Sequence, residues 1–392
     1  MKVLLLTPEY PPIGGGAANA CFYLVKEMGK LGVEVDVLTS GTTQDIEKEA
    51  GPSGEVIRLP VGKKAIHYWT YPEAIRYAWQ ARRFIRKFSH LQTYSIHHAF
   101  FTIPSALVAF PWRKRHPYIV SIRGSDVPGF NNRFTALHTI LRPLTRILWS
   151  KAAAVVSNSQ GLRDLAWKTM PTLDIDVIPN GIDTQQFYPA GAVGSEDSSR
   201  ATPFRLLAVN RLIHRKGMDV LFQALAELRT EMGEVFDLEI VGEGNLQREL
   251  EDLSRRLGIS GIVRFEGAIS HENLPEVYRR ADVFVLPSRA EGMSNALLEA
   301  MASGLPAIVT DTGGSAELVD GNGIVIQPGD PSALTNALRR VLSDADLRRH
   351  MGQKSRERAE ELSWHSVARQ YIALYEDIYK VHSQKTTVSE AR

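Results

Sequence analysis

EGMSNALLEAMASGLPAIVTDTGGSAELVDGNGIVIQPG, residues Glu291 to Gly329, comes shortly after a short apolar run, ADVFVLPS (Ala281 to Ser288). The run is rich in β-branched residues and is ended by Pro287, the pattern of a parallel strand buried on both faces. Past the loop, Ser294 or Asn295 can cap a helix that carries Ala296, Leu297, Leu298, Ala300 and Met301. Gly304 and Pro306 stop that helix and lead into a second strand, PAIVT. Strand, loop, helix and strand in this order form a βαβ unit, so the expected fold class is α/β with parallel sheets.

Ligands of such units collect beyond the carboxyl ends of the strands, and the N–H groups at a helix start favour a phosphate. Glu291 lies in that loop, and Glu299 lies about 7 Å further along the helix axis at roughly 1.5 Å per residue. One ligand with a phosphate at the helix start can therefore reach both carboxylates. A nucleotide sugar has this form, a diphosphate between a sugar and a ribose, each with vicinal hydroxyls for a bidentate acceptor. The alternative is a solvated helix residue at Glu299 and a simple loop charge at Glu291.

The chain has 392 residues, 44% hydrophobic and 23% charged, enough for two α/β domains with separate cores. A formal net charge of +2 gives no global case for a nucleic-acid partner, so none is expected. The single cysteine, Cys21, rules out an internal disulfide and a multi-thiolate metal site, and fits a reducing, cytoplasmic location. The start MKVLLLTPEY has too short an apolar core for a signal peptide and reads as a first strand. Leu91 to Trp112 is uncharged over spanning length, but His97, His98, Pro104 and Pro111 argue for a strand and helix instead. No transmembrane segment is expected.

Along the chain, KVLLLTP and VEVDVLTS read as strands around a glycine loop and a helix with Ala18, Phe22, Val25 and Met28 at helical spacing. Gly14, Gly15 and Gly16 permit close approach of backbone N–H groups to a phosphate or sugar, although a glycine run alone also suits a plain turn. The loop does not match the dinucleotide pattern GxGxxG. Residues Glu73 to His90 predict an amphipathic helix, with Tyr77, Ala81, Phe84, Ile85 and Phe88 on one side. Arg76, Arg83, Arg86 and Lys87 fall on the other, near Arg82, Trp79 and Ile75, with His67, Tyr68, Trp69 and Tyr71 just upstream. That face suits either an anionic membrane surface or phosphorylated lipid acceptor, or a core helix with a solvated basic back. His98 and Asp126, at the ends of the strands YSIHHAF and YIVSIRGSD, are further acceptor-side candidates, with a satisfied structural histidine as the plainer reading of His98. AAAVVSNS and IDVIPNGID close this half, and the small polar run Gly191 to Thr202 places the boundary there. In the second half, FRLLAVNRLIHRKG puts Arg211 and Lys216 at the carboxyl end of a strand, well placed for a diphosphate. FDLEIVGEGN supplies a strand with a turn at Gly242 and Gly244, and IVRFEGAIS a further strand around Arg264.

Glu291-x7-Glu299 within EGMSNALLEAMASGLPAIVTDTGG, followed by NGIVIQPGD, resembles the C-terminal signature of the retaining nucleotide-sugar glycosyltransferases with the GT-B fold. The resemblance extends over almost the whole chain, more closely from Arg205 to Asp330. It implies two Rossmann-like domains facing a cleft: an acceptor domain over 1–183, a linker over 184–203 and a donor domain over 204–369. Residues 370–392 would pack back on the first domain. It further implies transfer of a hexosyl or N-acetylhexosaminyl group from a nucleoside-diphosphate sugar, UDP before GDP, to a glycan or lipid-linked acceptor. No cofactor and no metal would be needed. By the same resemblance, Arg211 and Lys216 hold the diphosphate, Glu291 the sugar and Glu299 the ribose, while Gly15, Gly16, Gly242, Arg264, Ser294, Asn295, Ala296 and Leu297 complete the donor site. Arg123 stands where the family often has histidine facing the donor phosphates; an arginine retains a cation there but cannot act as a neutral imidazole. MSNALLEA resembles members that build bacterial surface polysaccharides, which suggests lipopolysaccharide or glycolipid synthesis at the inner face of the cytoplasmic membrane. Three other readings stay open: an epimerase of sugar nucleotides, a non-catalytic sugar-nucleotide binder, and a nicotinamide-dependent oxidoreductase, whose full dinucleotide fingerprint is missing.

Overall fold

A computed structural model describes residues 1–65, 69–88, 94–130, 135–190 and 203–390. His67, Tyr68, residues 89–90 of the expected helix, most of the expected linker and residues 391–392 lie outside the described residues. The chain forms two compact units: Met1–Gly181 together with Trp364–Arg392, and Ile182–Ser363. The division falls between Gly181 and Ile182, with the expected linker over 184–203, and the helix that belongs again to the first unit starts at Trp364, with 370–392 expected.

The first unit is built on an eight-stranded sheet of β1 (Lys2–Leu6), β2 (Glu34–Ser40), β3 (Glu47–Ala50), β4 (Glu55–Leu59), β5 (Ile96–Phe100), β6 (Tyr118–Ile122), β7 (Ala154–Ser157) and β8 (Asp176–Val177). Its order is β3-β4-β2-β1-β5-β6-β7-β8, parallel except for β3 against β4. The short β3, EKEA, is fully exposed, and its charges protect the edge from pairing with another chain. After Lys2 the run VLLL is apolar throughout because both faces of β1 are covered. Val3 and Leu5 pack with Leu24, Val25, Val367 and Tyr371, whereas Leu4 and Leu6 pack with Tyr77, Ala81 and Ile85. The helices Gly16–Lys30 and Trp364–Glu390 lie together on the first face and the helix Tyr71–Phe88 on the second. Tyr77, Ala81, Phe84 and Ile85 are its buried side, as the spacing predicts, and Phe88 is half-buried.

The second unit holds six parallel strands: β9 (Phe204–Val209), β10 (Phe236–Val241), β11 (Val263–Gly267), β12 (Val283–Leu286), β13 (Ala307–Thr310) and β14 (Gly323–Ile326). Their order is β11-β10-β9-β12-β13-β14, the doubly wound pattern in which the order reverses between β9 and β12. Leu206, Ala208, Val283 and Val285 face the helix Met218–Met232, and Leu207, Phe284 and Leu286 face the helix Asn295–Ala302. Among the described residues, no helix is long and apolar enough to cross a membrane.

Candidate active site

At the reversal point of the second unit, the chain leaving β9 passes Asn210 and Arg211 into a short 3-10 turn, His214–Lys216. Gly217 then adopts a left-handed conformation, φ 66°, and opens the helix Met218–Met232. A Cβ at Gly217 would stand 2.0 Å from the Pro287 carbonyl oxygen, so this turn packs backbone to backbone on the end of β12. That contact brings Lys216 to the loop after β12. Its Nζ pairs with Glu291 Oε1, and the Ser288 hydroxyl donates to the same oxygen at 2.8 Å. Burial pushes the Glu291 carboxyl up, but the charge and hydrogen bond of Lys216, the charge of Arg215 and the Ser288 hydroxyl outweigh it, leaving the group below its ordinary range.

Arg215 escaped the sequence reading. Burial lowers its guanidinium, Glu291 raises it and Arg211 lowers it, so three cations and one carboxylate share this end of the sheet. Its signal was the HRKG run itself, in which a 3-10 turn gives successive side chains different surroundings. Arg211 is exposed beside this group.

Glu299, on the helix Asn295–Ala302, is buried. Tyr278 donates its hydroxyl to Glu299 Oε2 at 2.8 Å, and His271 Nε2 lies 3.3 Å from Oε1. Burial lowers the His271 imidazole, yet the hydrogen bond and charge of Glu299 carry it above its ordinary value. Each carboxylate oxygen keeps a further lone pair for a ligand hydroxyl. Neither His271 nor Tyr278 was singled out from sequence, since both partners lie on other elements. Ser294 caps the helix and accepts from the Leu297 N–H at 3.3 Å. Of the four residues expected to bind phosphate at this helix start, Leu297 thus gives its amide to the cap, while the Ala296 N–H is unpaired among the described residues; the Asn295 N–H lies beside it in the first turn.

Of two further expected donor residues, Gly242 packs on the loop after β9, where a Cβ would meet the Asn210 carbonyl oxygen at 2.0 Å and the Arg211 N at 3.7 Å. Arg264 sits inside β11 opposite Glu239, short of the carboxyl edge, and its guanidinium pairs with Asp237 of β10.

In the first unit, Gly15 precedes the helix Gly16–Lys30, and a Cβ on it would meet nothing within 4 Å, so the surrounding chain does not demand glycine there. His98 is not an open acceptor-side group. Wholly buried, it bonds Tyr375 OH at 2.6 Å and Ser121 Oγ at 2.7 Å, and burial followed by the Arg123 charge takes its pKa down to about 3. Asp126 is likewise occupied: it accepts from Thr102 N at 2.8 Å, Thr102 Oγ1 at 3.0 Å, Arg123 N at 2.9 Å and Gly124 N at 3.1 Å, a clamp on its own loop. The Arg123 guanidinium donates to Asn180 Oδ1 at 2.8 Å and Tyr371 OH at 3.2 Å and lies 3.9 Å from the Phe100 ring centre. On the helix Tyr71–Phe88, Trp79 is 57% exposed beneath Arg83, Arg86 is exposed, and Arg82 donates to the Leu107 carbonyl at 2.8 Å.

Two doubly wound sheets, parallel except at the β3 edge of the first and with cations and carboxylates gathered at the reversal point of the second, define a nucleotide-handling α/β protein. The profile of Glycosyltransferase Family 4 matches residues 14–186, and that of Glycosyl transferases group 1 matches residues 195–358. The uncharacterized glycosyltransferase MJ1607 of Methanocaldococcus jannaschii is 27% identical over 96% of this chain and 98% of its own length. Sucrose-phosphate synthase from Thermosynechococcus elongatus has a similar fold, with a TM-score of 0.81 at 23% identity over 97% of this chain and all 100% of that one. Anabaena Alr3699/HepE in complex with UDP superposes with a TM-score of 0.69 at 19% identity, over 96% of this chain and 100% of that one. The chain belongs to the group 1/family 4 glycosyltransferases, retaining enzymes that use nucleotide sugars, and its two units are the Rossmann-like domains of the GT-B fold.

Proposed function

We propose that the enzyme moves a hexosyl or N-acetylhexosaminyl group from a UDP-sugar to a hydroxyl of a glycan or lipid-linked acceptor, in surface polysaccharide or glycolipid synthesis, without a metal ion. The observation that carries this reading is the Lys216–Glu291 pair, held with Arg215 and Ser288 at the reversal point of the second sheet. Departure of a nucleoside diphosphate from an anomeric carbon develops negative charge on the leaving oxygens, and preorganised cations are the strongest means of stabilising it. Lys216 and Arg211 supply that charge. When the diphosphate takes Lys216 as its partner, Glu291 is released to accept from sugar hydroxyls. Glu299, oriented by His271 and Tyr278, holds the ribose. The preference for UDP over GDP is supported by the UDP bound to the Anabaena protein of similar fold. The basic face of Tyr71–Phe88, with Trp79 exposed upon it, is the surface proposed to meet an anionic membrane.

Calorimetry with UDP-, GDP- and ADP-sugars in EDTA, followed by transfer assays, tests the proposal. A UDP-sugar should bind and turn over with EDTA present, and Lys216→Ala or Glu291→Ala should each reduce kcat/KM about a hundredfold, on the order of 3 kcal/mol. Wild-type rates in both variants would remove these residues from the mechanism. An altered nucleotide sugar formed with no acceptor present would instead identify an epimerase.

A further inference from the structure

Arg123 stands where the resemblance implies donor phosphate chemistry, and its side chain has partners within the first unit. Its two terminal nitrogens bond Asn180 and Tyr371, and its face covers Phe100. Among the described residues it forms no ion pair, so the cation is held by neutral oxygens and a ring. Those two oxygens have a particular location in the chain. Asn180 lies just before the first passage from one unit to the other, at Gly181–Ile182, and Tyr371 lies two turns into the helix that follows the return passage, at Ser363–Trp364. The two passages also run side by side. A Cβ on Gly181 would stand 2.6 Å from the Trp364 ring, and Ile182 bridges Ser363 and donates to the Leu362 carbonyl at 2.9 Å. Meanwhile Asp126 ties the Arg123 backbone to Thr102, and Tyr371 is bonded onward to Ser121, which holds His98 and through it Tyr375.

We propose that Arg123 is a positioning residue: its planar fork fixes the residues beside both chain passages to the loop Arg123–Asp126, and transfer depends on that local arrangement. A planar guanidinium can bridge two acceptors at once, whereas a lysine ammonium on a flexible stem holds such a pair poorly. The role rests on the transferase reading for its kinetic consequence but not for its structural one.

The test compares Arg123→Lys and Tyr371→Phe with the wild-type chain by amide hydrogen exchange at residues 180–184 and 362–366, by UDP calorimetry, and by transfer kinetics. Tyr371→Phe retains the packed ring and loses only the hydroxyl, so it separates the bond from the fold. Both variants should exchange about tenfold faster at both passages and lose about tenfold in kcat, with donor KM and UDP affinity within about twofold of wild type. Unchanged exchange at the passages in both variants would overturn the proposal. A tenfold loss of UDP affinity confined to Arg123→Lys would also overturn it and make Arg123 a phosphate ligand. If the wild-type chain neither binds UDP nor transfers sugar, the transferase reading fails, while the exchange result still decides the positioning role.

Discussion

Lys216 and Glu291 satisfy each other, so removing either leaves a buried group in difficulty. In the wild-type chain the Glu291 carboxyl lies below its ordinary 4.5, so its contribution to stability is complete above about pH 4.5 and is lost as pH falls through the lowered value. Lys216→Ala removes the largest opposing charge, so the carboxyl rises relative to the wild type and its contribution to stability at neutral pH shrinks. The difference in Tm between wild type and Lys216→Ala should therefore be largest near pH 7 and shrink as pH is lowered toward 4.5; a constant difference would show that Glu291 does not depend on Lys216. His271 gives a second, opposite profile. Because its pKa is raised above the ordinary 6.5, its pairing with Glu299 stabilises most below that pH and is lost as pH rises through the raised value, and His271→Gln should flatten that decline in Tm. A role that comes from neighbours in sequence was legible: Ser294 caps its helix by accepting from Leu297, three residues on, whereas the pairing of Lys216 with Glu291 joins two separate loops and was not. His98 is the satisfied structural histidine of the plainer reading, but its partners Ser121 and Tyr375 were not legible, nor was the hold of Asp126 on Thr102, because those partners lie elsewhere in the chain. Arg264 falls on a strand as the run IVRFEGAIS predicts, but its pairing with Asp237 depends on strand register, which an apolar pattern alone does not give.

Among the elements, the helix Tyr71–Phe88 joins a fully specified inner side to an outer side on which Trp79 is exposed beneath Arg83. Period and charge made both sides readable from sequence, since Tyr77, Ala81, Phe84 and Ile85 recur at helical spacing. Ile75 is 70% exposed and Trp79 57%, one turn apart, with Arg83 and Arg86 following along the exposed surface. Vesicle flotation measures what this side does. The chain should bind phosphatidylglycerol vesicles and not phosphatidylcholine ones, and Trp79→Ala with Arg83→Ala and Arg86→Ala should weaken binding about tenfold or more, given about 1 kcal/mol per basic residue near an anionic surface. Equal recovery with both lipids, or with neither, would mark the basic side as merely solvated. The hairpin of β3 and β4 escaped the sequence reading because EKEA carries charge at three of four positions and has no apolar alternation.

For the molecule as a whole, the division into units is unequal in chain terms. The second unit is continuous from Ile182 to Ser363, whereas the first needs the helix that begins at Trp364. Val367, Tyr371 and Tyr375 fill the same core as Leu24, Val25 and Met28, and Tyr375 partners the buried His98. A fragment of residues 182–363 should therefore unfold cooperatively by circular dichroism, and a fragment of residues 1–181 should not, unless residues 364–390 are supplied as a peptide. Cooperative unfolding of 1–181 alone would show that the returning helix is an accessory.

That returning helix also fixes a sequence of events during synthesis. Domains generally fold as they leave the ribosome, the earlier ones first. Here the half that emerges first cannot close, because the place beside Met28 and His98 stays vacant until Tyr375 has been translated. The later half can be complete while the earlier one still exposes part of its core, so the nascent enzyme carries an apolar face for chaperones throughout most of its elongation.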